Sequence, residues 1–352
     1  MTSKRLRWIF YFSLPFALLA LPFTTHFSWG KYFNTIVLQP QKTGITTFQY
    51  NDEKRGRPLV TEVWYPVDIQ SPSQAALGFW MRCDEARDVP MSTKKAQYPL
   101  IMMSHGSGGD RYTISWLAEV LASNGYIVAA MDHYGNTWNN KIPELYIQPW
   151  ERPADISFVL DQLLNDSWLK EHIDLSRIGF AGYSLGGATG IWVAGAEAAH
   201  LDAASVKKYA SQDLEGIISL DLVDTMNFEK AKHSYRDPRI SAAVVMAPAL
   251  GWVFDEQSLK NIDIPIFIIA PENDLVVPTE MNAKVFAKKI AKATLKILPG
   301  EATHYVFLNR ATVVGKRFLD KRYCEDPASI DRKKIHDFIA KNSVDFFNKQ
   351  LQ

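Results

Sequence analysis

The short run Arg177-Ile178-Gly179-Phe180-Ala181 has the make-up of a strand and passes directly into Gly182-Tyr183-Ser184-Leu185-Gly186, after which Gly187 to Ala196 is small, apolar and helical in character. A serine set between glycines at a strand-to-helix junction constrains the chain more than any other feature. The turn must be sharp, and it pushes the Ser184 hydroxyl off the end of a sheet. The helix that starts beneath the serine favours negative charge developing there. That context makes Ser184 a candidate nucleophile; an ordinary serine in a strand-to-helix turn is the alternative.

A junction of this kind needs a layered α/β body around it, and the rest of the chain has that rhythm. Thr61-Glu62-Val63-Trp64-Tyr65, Leu100-Ile101-Met102-Met103-Ser104 and Tyr126 to Met131 read as strands. So do Ala242 to Met246, Ile264 to Ile269 and Thr294 to Leu298. Several are uncharged, as strands covered on both faces are. Helical spacing is expected over 112–124, 153–164, 280–291 and 331–347. Alternating strands and helices predict a mostly parallel sheet with helices on both faces, and its chemistry at the carboxyl ends of the strands. Residues 67–97 read as an irregular surface excursion. The stretch 197–238 is long and polar, with Ile217-Ile218-Ser219-Leu220 embedded in it, and is expected to form a cap insertion over the strand ends.

The chain has 352 residues, which allows one catalytic-sized domain over 30–352. Its formal net charge of +1 lacks the basic excess of a nucleic-acid partner. Lys4, Arg5 and Arg7 precede an apolar stretch from Trp8 to Phe23. Residues 1–29 therefore read as a signal peptide or an N-terminal membrane anchor, placing the protein outside the cytoplasm. The two cysteines, Cys83 and Cys324, either form one disulfide or stay as thiols. No His/Cys spacing suggests a metal, and no motif suggests an organic cofactor.

A serine nucleophile needs a base, an orienting carboxylate and donors for the oxyanion. On this type of scaffold the chain order is nucleophile, acid, base. Asp274 follows the strand 264–269 and His304 follows the strand 294–298, so both stand where they converge on Ser184. Glu272 and Asp255 are competing acids; His133, His172, His200, His233 and His336 are competing bases with poorer stations. His105-Gly106-Ser107-Gly108-Gly109 ends the strand 100–104. Its Ser107 N–H, paired with the Leu185 N–H, is the candidate oxyanion hole. His105 is expected to brace that loop. The loop lacks the glycine spacing of either standard phosphate-binding motif.

Taken together the motifs resemble those of α/β-hydrolases, in particular predicted dienelactone hydrolases and the platelet-activating-factor acetylhydrolase group. The resemblance rests on Arg55-Gly56-Arg57-Pro58-Leu59, Val63-Trp64-Tyr65-Pro66, Ser104 to Gly109, Arg152-Pro153-Ala154-Asp155-Ile156, the Ser184 turn and Ala247-Pro248-Ala249-Leu250-Gly251. It implies hydrolysis of a small-molecule or lipid-like carboxylic ester through an acyl-enzyme, without a cofactor. Amides, thioesters and polyesters suit the same residues, and a binding protein that keeps the fold without activity is the remaining alternative. Dienelactone hydrolases carry cysteine at the elbow where this chain has serine. The acetylhydrolase group takes its acid one strand earlier, where this chain has Ala247.

Overall fold

The structure is a computed structural model and describes residues 43–68, 78–82, 85–210 and 220–352. The leader or anchor expected at 1–29 lies outside these residues, as do Cys83 and Ile217-Ile218-Ser219. The strands are β1 (Thr43–Asp52), β2 (Arg57–Pro66), β3 (Glu85–Arg87), β4 (Tyr98–Ser104) and β5 (Ile127–Met131). They continue as β6 (Asn136–Thr137), β7 (Asn140–Lys141), β8 (Ile173–Tyr183), β9 (Ile240–Met246), β10 (Ile266–Pro271) and β11 (Ala293–Leu298). Among the described residues, β6 and β7 form a hairpin of their own and the rest make one sheet, in the order β11-β10-β9-β8-β4-β5-β2-β1-β3.

From β11 to β5 every neighbouring pair is parallel, while β2 runs antiparallel to both β5 and β1. All residues of β4, β5 and β10 are buried, and in β9 all but Ser241, which their uncharged sequences anticipate. Towards the edge, the middle of β1 alternates half-buried and exposed positions, the pattern of a strand with one wet face. Successive residues of β8 point to opposite faces. Phe180 packs on Gly190 of the helix Leu185–Val193, whereas Gly179 lies beneath Phe347 of the helix Arg332–Gln350. These two helices therefore cover opposite faces, giving the three-layer α/β body expected from the sequence.

Two stretches gain detail that their sequence reading lacked. The excursion at 67–97 contributes β3, which pairs in parallel with Thr43–Ile45 on the outer side of β1. An open strand edge offers unpaired backbone groups, and β3 takes them. The 197–238 segment contains the helices Ala203–Ala210 and Leu220–Asp224 and a 3-10 turn, Phe228–Lys232. Its Ala198, Leu201, Val223, Phe228 and Ala231 are buried in the main core, with the Phe228 ring edge-on to Trp150 at 5.7 Å between centroids. Cys324 is a buried free thiol. No helix among the described residues is long and apolar enough to cross a membrane.

Candidate active site

Because β4, β8, β10 and β11 run parallel, the segments that leave their carboxyl ends gather along one edge of the sheet. Ser184 leaves β8 with φ 55° and ψ −118°, a conformation costly for any residue with a Cβ. The surroundings hold it there. Its N–H donates to the Met246 carbonyl (2.9 Å), and its own carbonyl accepts from the N–H groups of Ala188 and Ala249 (3.1 Å each). The flanking glycines are a steric necessity. A Cβ on Gly182 would meet the Gly186 carbonyl oxygen at 2.2 Å, and one on Gly186 would meet that of Ser104 at 2.0 Å.

Three sequence-predicted residues meet here. His304 Nε2 lies 3.0 Å from the Ser184 Oγ, and its Nδ1 lies 2.6 Å from the Asp274 Oδ2. The other oxygen of Asp274 accepts from the N–H groups of Val276 (2.9 Å) and Val277 (2.8 Å), so the carboxylate is fixed in orientation. An ionised carboxylate can only accept, so the His304 proton belongs on Nδ1 and Nε2 is free to accept from the serine. His304 and Asp274 are buried, and Ser184 is 8% exposed, sheltered but open to an incoming group. The Tyr183 hydroxyl donates to the His304 carbonyl at 3.1 Å, and burial raises its pKa well above that of a free phenol.

The competing residues are occupied elsewhere. Glu272 is exposed and accepts from the Gly300 N–H at 3.1 Å, while Asp255 caps the helix Glu256–Lys260 through the Ser258 N–H at 2.8 Å. His336 is buried against Trp116, with its Nε2 on the Val306 carbonyl (2.9 Å). Ser107 and Leu185 flank the serine. Leu185 opens its helix, and a Cβ on Gly106, the residue before Ser107, would stand 3.3 Å from the Ser184 Cβ. Neither the Ser107 nor the Leu185 N–H has a backbone or side-chain acceptor among the described residues. Both N–H groups thus remain available to a ligand.

His105 braces the loop, as its sequence position suggests. Its Nε2 accepts the His133 N–H at 3.2 Å, so Nδ1 carries the proton and donates to the Gly106 carbonyl at 2.7 Å. Burial, aided by Arg152 and His133, holds its pKa well below that of a free imidazole.

Beneath the loop lies a second Ser–His–Asp chain that sequence reasoning missed. His133 bonds the Ser104 Oγ through Nε2 (2.8 Å) and the Asp155 Oδ2 through Nδ1 (2.9 Å). Asp155 also accepts from Arg57 at 2.7 and 2.6 Å and pairs with Arg55 at 2.9 Å. All three members are sealed from solvent, and burial beside Arg152 lowers the His133 pKa to about 4. This second chain is therefore unreachable, and its histidine is a poor base near neutral pH. The only sequence signal for it lay in the two family-like stretches, 55–59 and 152–156, which meet at Asp155. Among the described residues, no three His, Cys, Asp or Glu side chains group as a metal would require.

Comparison with known proteins follows the same lines. Residues 73–139 match the family model of platelet-activating factor acetylhydrolase, isoform II, a stretch that contains the 105–109 loop but neither Ser184, Asp274 nor His304. A ferulic acid esterase from Streptomyces cinnamoneus superposes with a TM-score of 0.60 over 89% of this chain and 93% of its own, at 18% identity. The chain has the α/β-hydrolase fold. The partial family match and the relatives below support a family of the acetylhydrolase and dienelactone hydrolase type. Cutinase est1 of Thermobifida alba is 26% identical over 61% of this chain and 53% of its own length. A bis(hydroxyethyl) terephthalate hydrolase of Streptomyces coelicolor is 22% identical over 67% of this chain and 61% of its own. The chain thus spans about half the length of the first of these relatives and somewhat more of the second.

Proposed function

We propose that this α/β-hydrolase is a serine esterase that cleaves carboxylic esters through an acyl-enzyme, with Ser184 as nucleophile, His304 as base and Asp274 as orienting acid. The observation that carries the reading is the continuous hydrogen-bonded path from Ser184 through His304 to Asp274, with spans of 3.0 and 2.6 Å. His304 Nε2 takes the hydroxyl proton as the Ser184 Oγ bonds to the ester carbonyl carbon. The N–H groups of Ser107 and Leu185 hold the oxyanion. The intermediate collapses, and the departing alkoxide takes the proton from Nε2. A water, deprotonated by the same nitrogen, then attacks the acyl group and releases the acid and Ser184. Asp274 keeps the imidazole in one tautomer and stabilises its cation. No step calls for a cofactor or a metal.

The substrate is a small or lipid-like ester whose acyl and alcohol parts are selected by the 197–238 segment as a cap and by 67–97. A leader or anchor at residues 1–29 fits action outside the cytoplasm. Replacing Ser184 with alanine abolishes both fluorophosphonate labelling and ester turnover while the circular dichroism spectrum is kept. Retained turnover in Ser184→Ala would overturn the assignment, and failure of the unaltered chain to label would favour a binding protein. A second reading, polyester hydrolysis, is favoured by the names of the cutinase and terephthalate-ester relatives. Release of acid from a polyester film, set beside soluble esters and peptides, separates the two.

A further inference from the structure

Arg152 sits in the first turn of the helix Glu151–Asn165 and is 2% exposed, yet it reaches no carboxylate directly among the described residues. Its Nη1 donates to the His105 carbonyl at 2.5 Å, and its Nη2 to the Gly106 carbonyl at 3.1 Å and the Asn136 Oδ1 at 3.0 Å. The same Asn136 oxygen accepts the Gly108 N–H at 2.9 Å. Arg152 Nε has no partner among the described residues. Burying a guanidinium on neutral acceptors is expensive, and burial draws the Arg152 pKa down to about 9. Asp155, one turn further along the helix, offsets part of that cost electrostatically. It is itself held by Arg57 and His133.

The bonds of this cation fall on two successive peptide planes. In a trans peptide the carbonyl and the following N–H point in opposite directions. Drawing the His105 carbonyl to the guanidinium turns the Gly106 N–H away from it. Drawing in the Gly106 carbonyl does the same to the Ser107 N–H. The Gly106 carbonyl is further fixed by the His105 ring and by the Gly109 N–H at 3.2 Å. Ser184 stands close against this loop: a Cβ on Gly106 would lie 3.3 Å from the Ser184 Cβ.

We propose that Arg152 is a positioning residue for oxyanion stabilisation: by clamping the carbonyls of His105 and Gly106 it aims the Ser107 N–H at the oxyanion, without touching substrate. The chain Arg57–Asp155–His133–Ser104 is the buried frame that keeps the clamp in place. This rests on the reading of Ser184 as nucleophile, so the test begins with fluorophosphonate labelling of the unaltered chain, lost in Ser184→Ala. Without that labelling both the reading and the clamp fall.

With labelling established, Arg152→Met and Arg152→Lys are compared by kcat per titrated active site, by KM, and by affinity for a trifluoromethyl ketone that adds to Ser184. Losing an oxyanion donor costs about 100- to 1000-fold in kcat, and misaiming one costs about 10- to 100-fold. Arg152→Met is expected near the upper end of the misaiming range with KM changed less than about threefold, and the ketone affinity falls by the same factor as kcat/KM. Lysine keeps charge and bulk but is a single point donor, so Arg152→Lys loses about tenfold in the same pattern. If Arg152→Met does not fold, Arg152→Lys decides. A merely structural arginine would lower the fraction of titratable sites and leave both kcat per site and ketone affinity unchanged. That result overturns the clamp.

Discussion

Asp274 uses both carboxylate oxygens, one on the His304 imidazole and the other on two backbone N–H groups. An asparagine in its place keeps the shape but supplies only one accepting oxygen, and the amide end then faces either the imidazole or the Val276–Val277 backbone. With the NH2 toward Nδ1, His304 adopts the tautomer that cannot accept from Ser184. Asp274→Asn is therefore expected to lower kcat by about 10⁴ with little change in KM, whereas Glu272→Gln stays within about twofold of the parent. Steady-state kinetics on one soluble ester check both, and the reverse ranking would move the acid to Glu272. At this scale Ser184, Asp274 and His304 were legible because each stands just past the end of a strand recognisable from its own residues. Arg152, His133 and Asp155 were not. Their partners at 57, 104–106 and 136 are distant in sequence, and only the folded sheet brings them into contact.

The elbow is where an element boundary and a chemical demand coincide. The sequence placed the helix start at Gly187; it begins at Leu185, because Ser184 in its φ 55° conformation is already the cap. The helix read as 280–291 likewise begins only at Ala283. Pro278 and the 3-10 turn Thr279–Met281 precede it, and Asn282 donates to the Pro278 carbonyl and accepts the Gly251 N–H. Such side-chain bonds fix a boundary that periodicity cannot locate. The packing at the elbow makes its own prediction. Gly186→Ala drives a Cβ toward the Ser104 carbonyl oxygen, which belongs to a buried central strand and cannot swing away. The variant should lose about 3 kcal/mol of stability, the upper range for overpacking. Gly78→Ala, where an added Cβ meets nothing within 4 Å, should lose almost none. Chemical denaturation of the pair measures the contrast, and equal stabilities would mean the elbow yields.

Across the whole molecule, the layer order and the direction of the parallel strands followed from the alternation of uncharged runs with helical ones. The elements within 197–238 did not, since a polar segment with scattered apolar residues gives no period to follow. The same burial that seals the core also gives the protein a definite response to acid. His105, His133 and His336 are buried, the first two side by side with ring centroids 5.0 Å apart. Burial is the leading cause in each case, lowering His133 to about 4 and His336 to about 3, and holding His105 well below its ordinary value. An unfolded histidine binds its proton near pH 6.5. Between that value and about 4 the unfolded chain therefore holds protons that the folded chain does not, so stability rises with pH and is lost as pH falls through this window. Each histidine contributes up to about 1.4 kcal/mol per pH unit. His336→Gln keeps an N–H donor for the Val306 carbonyl but removes one titration. Losing the stacking on Trp116 shifts its stability at every pH, while the slope reports the proton alone. Urea denaturation from pH 6.5 to 4.5 should show the variant's slope lower by about one proton's worth. An unchanged slope would mean that His336 enters the folded state already charged.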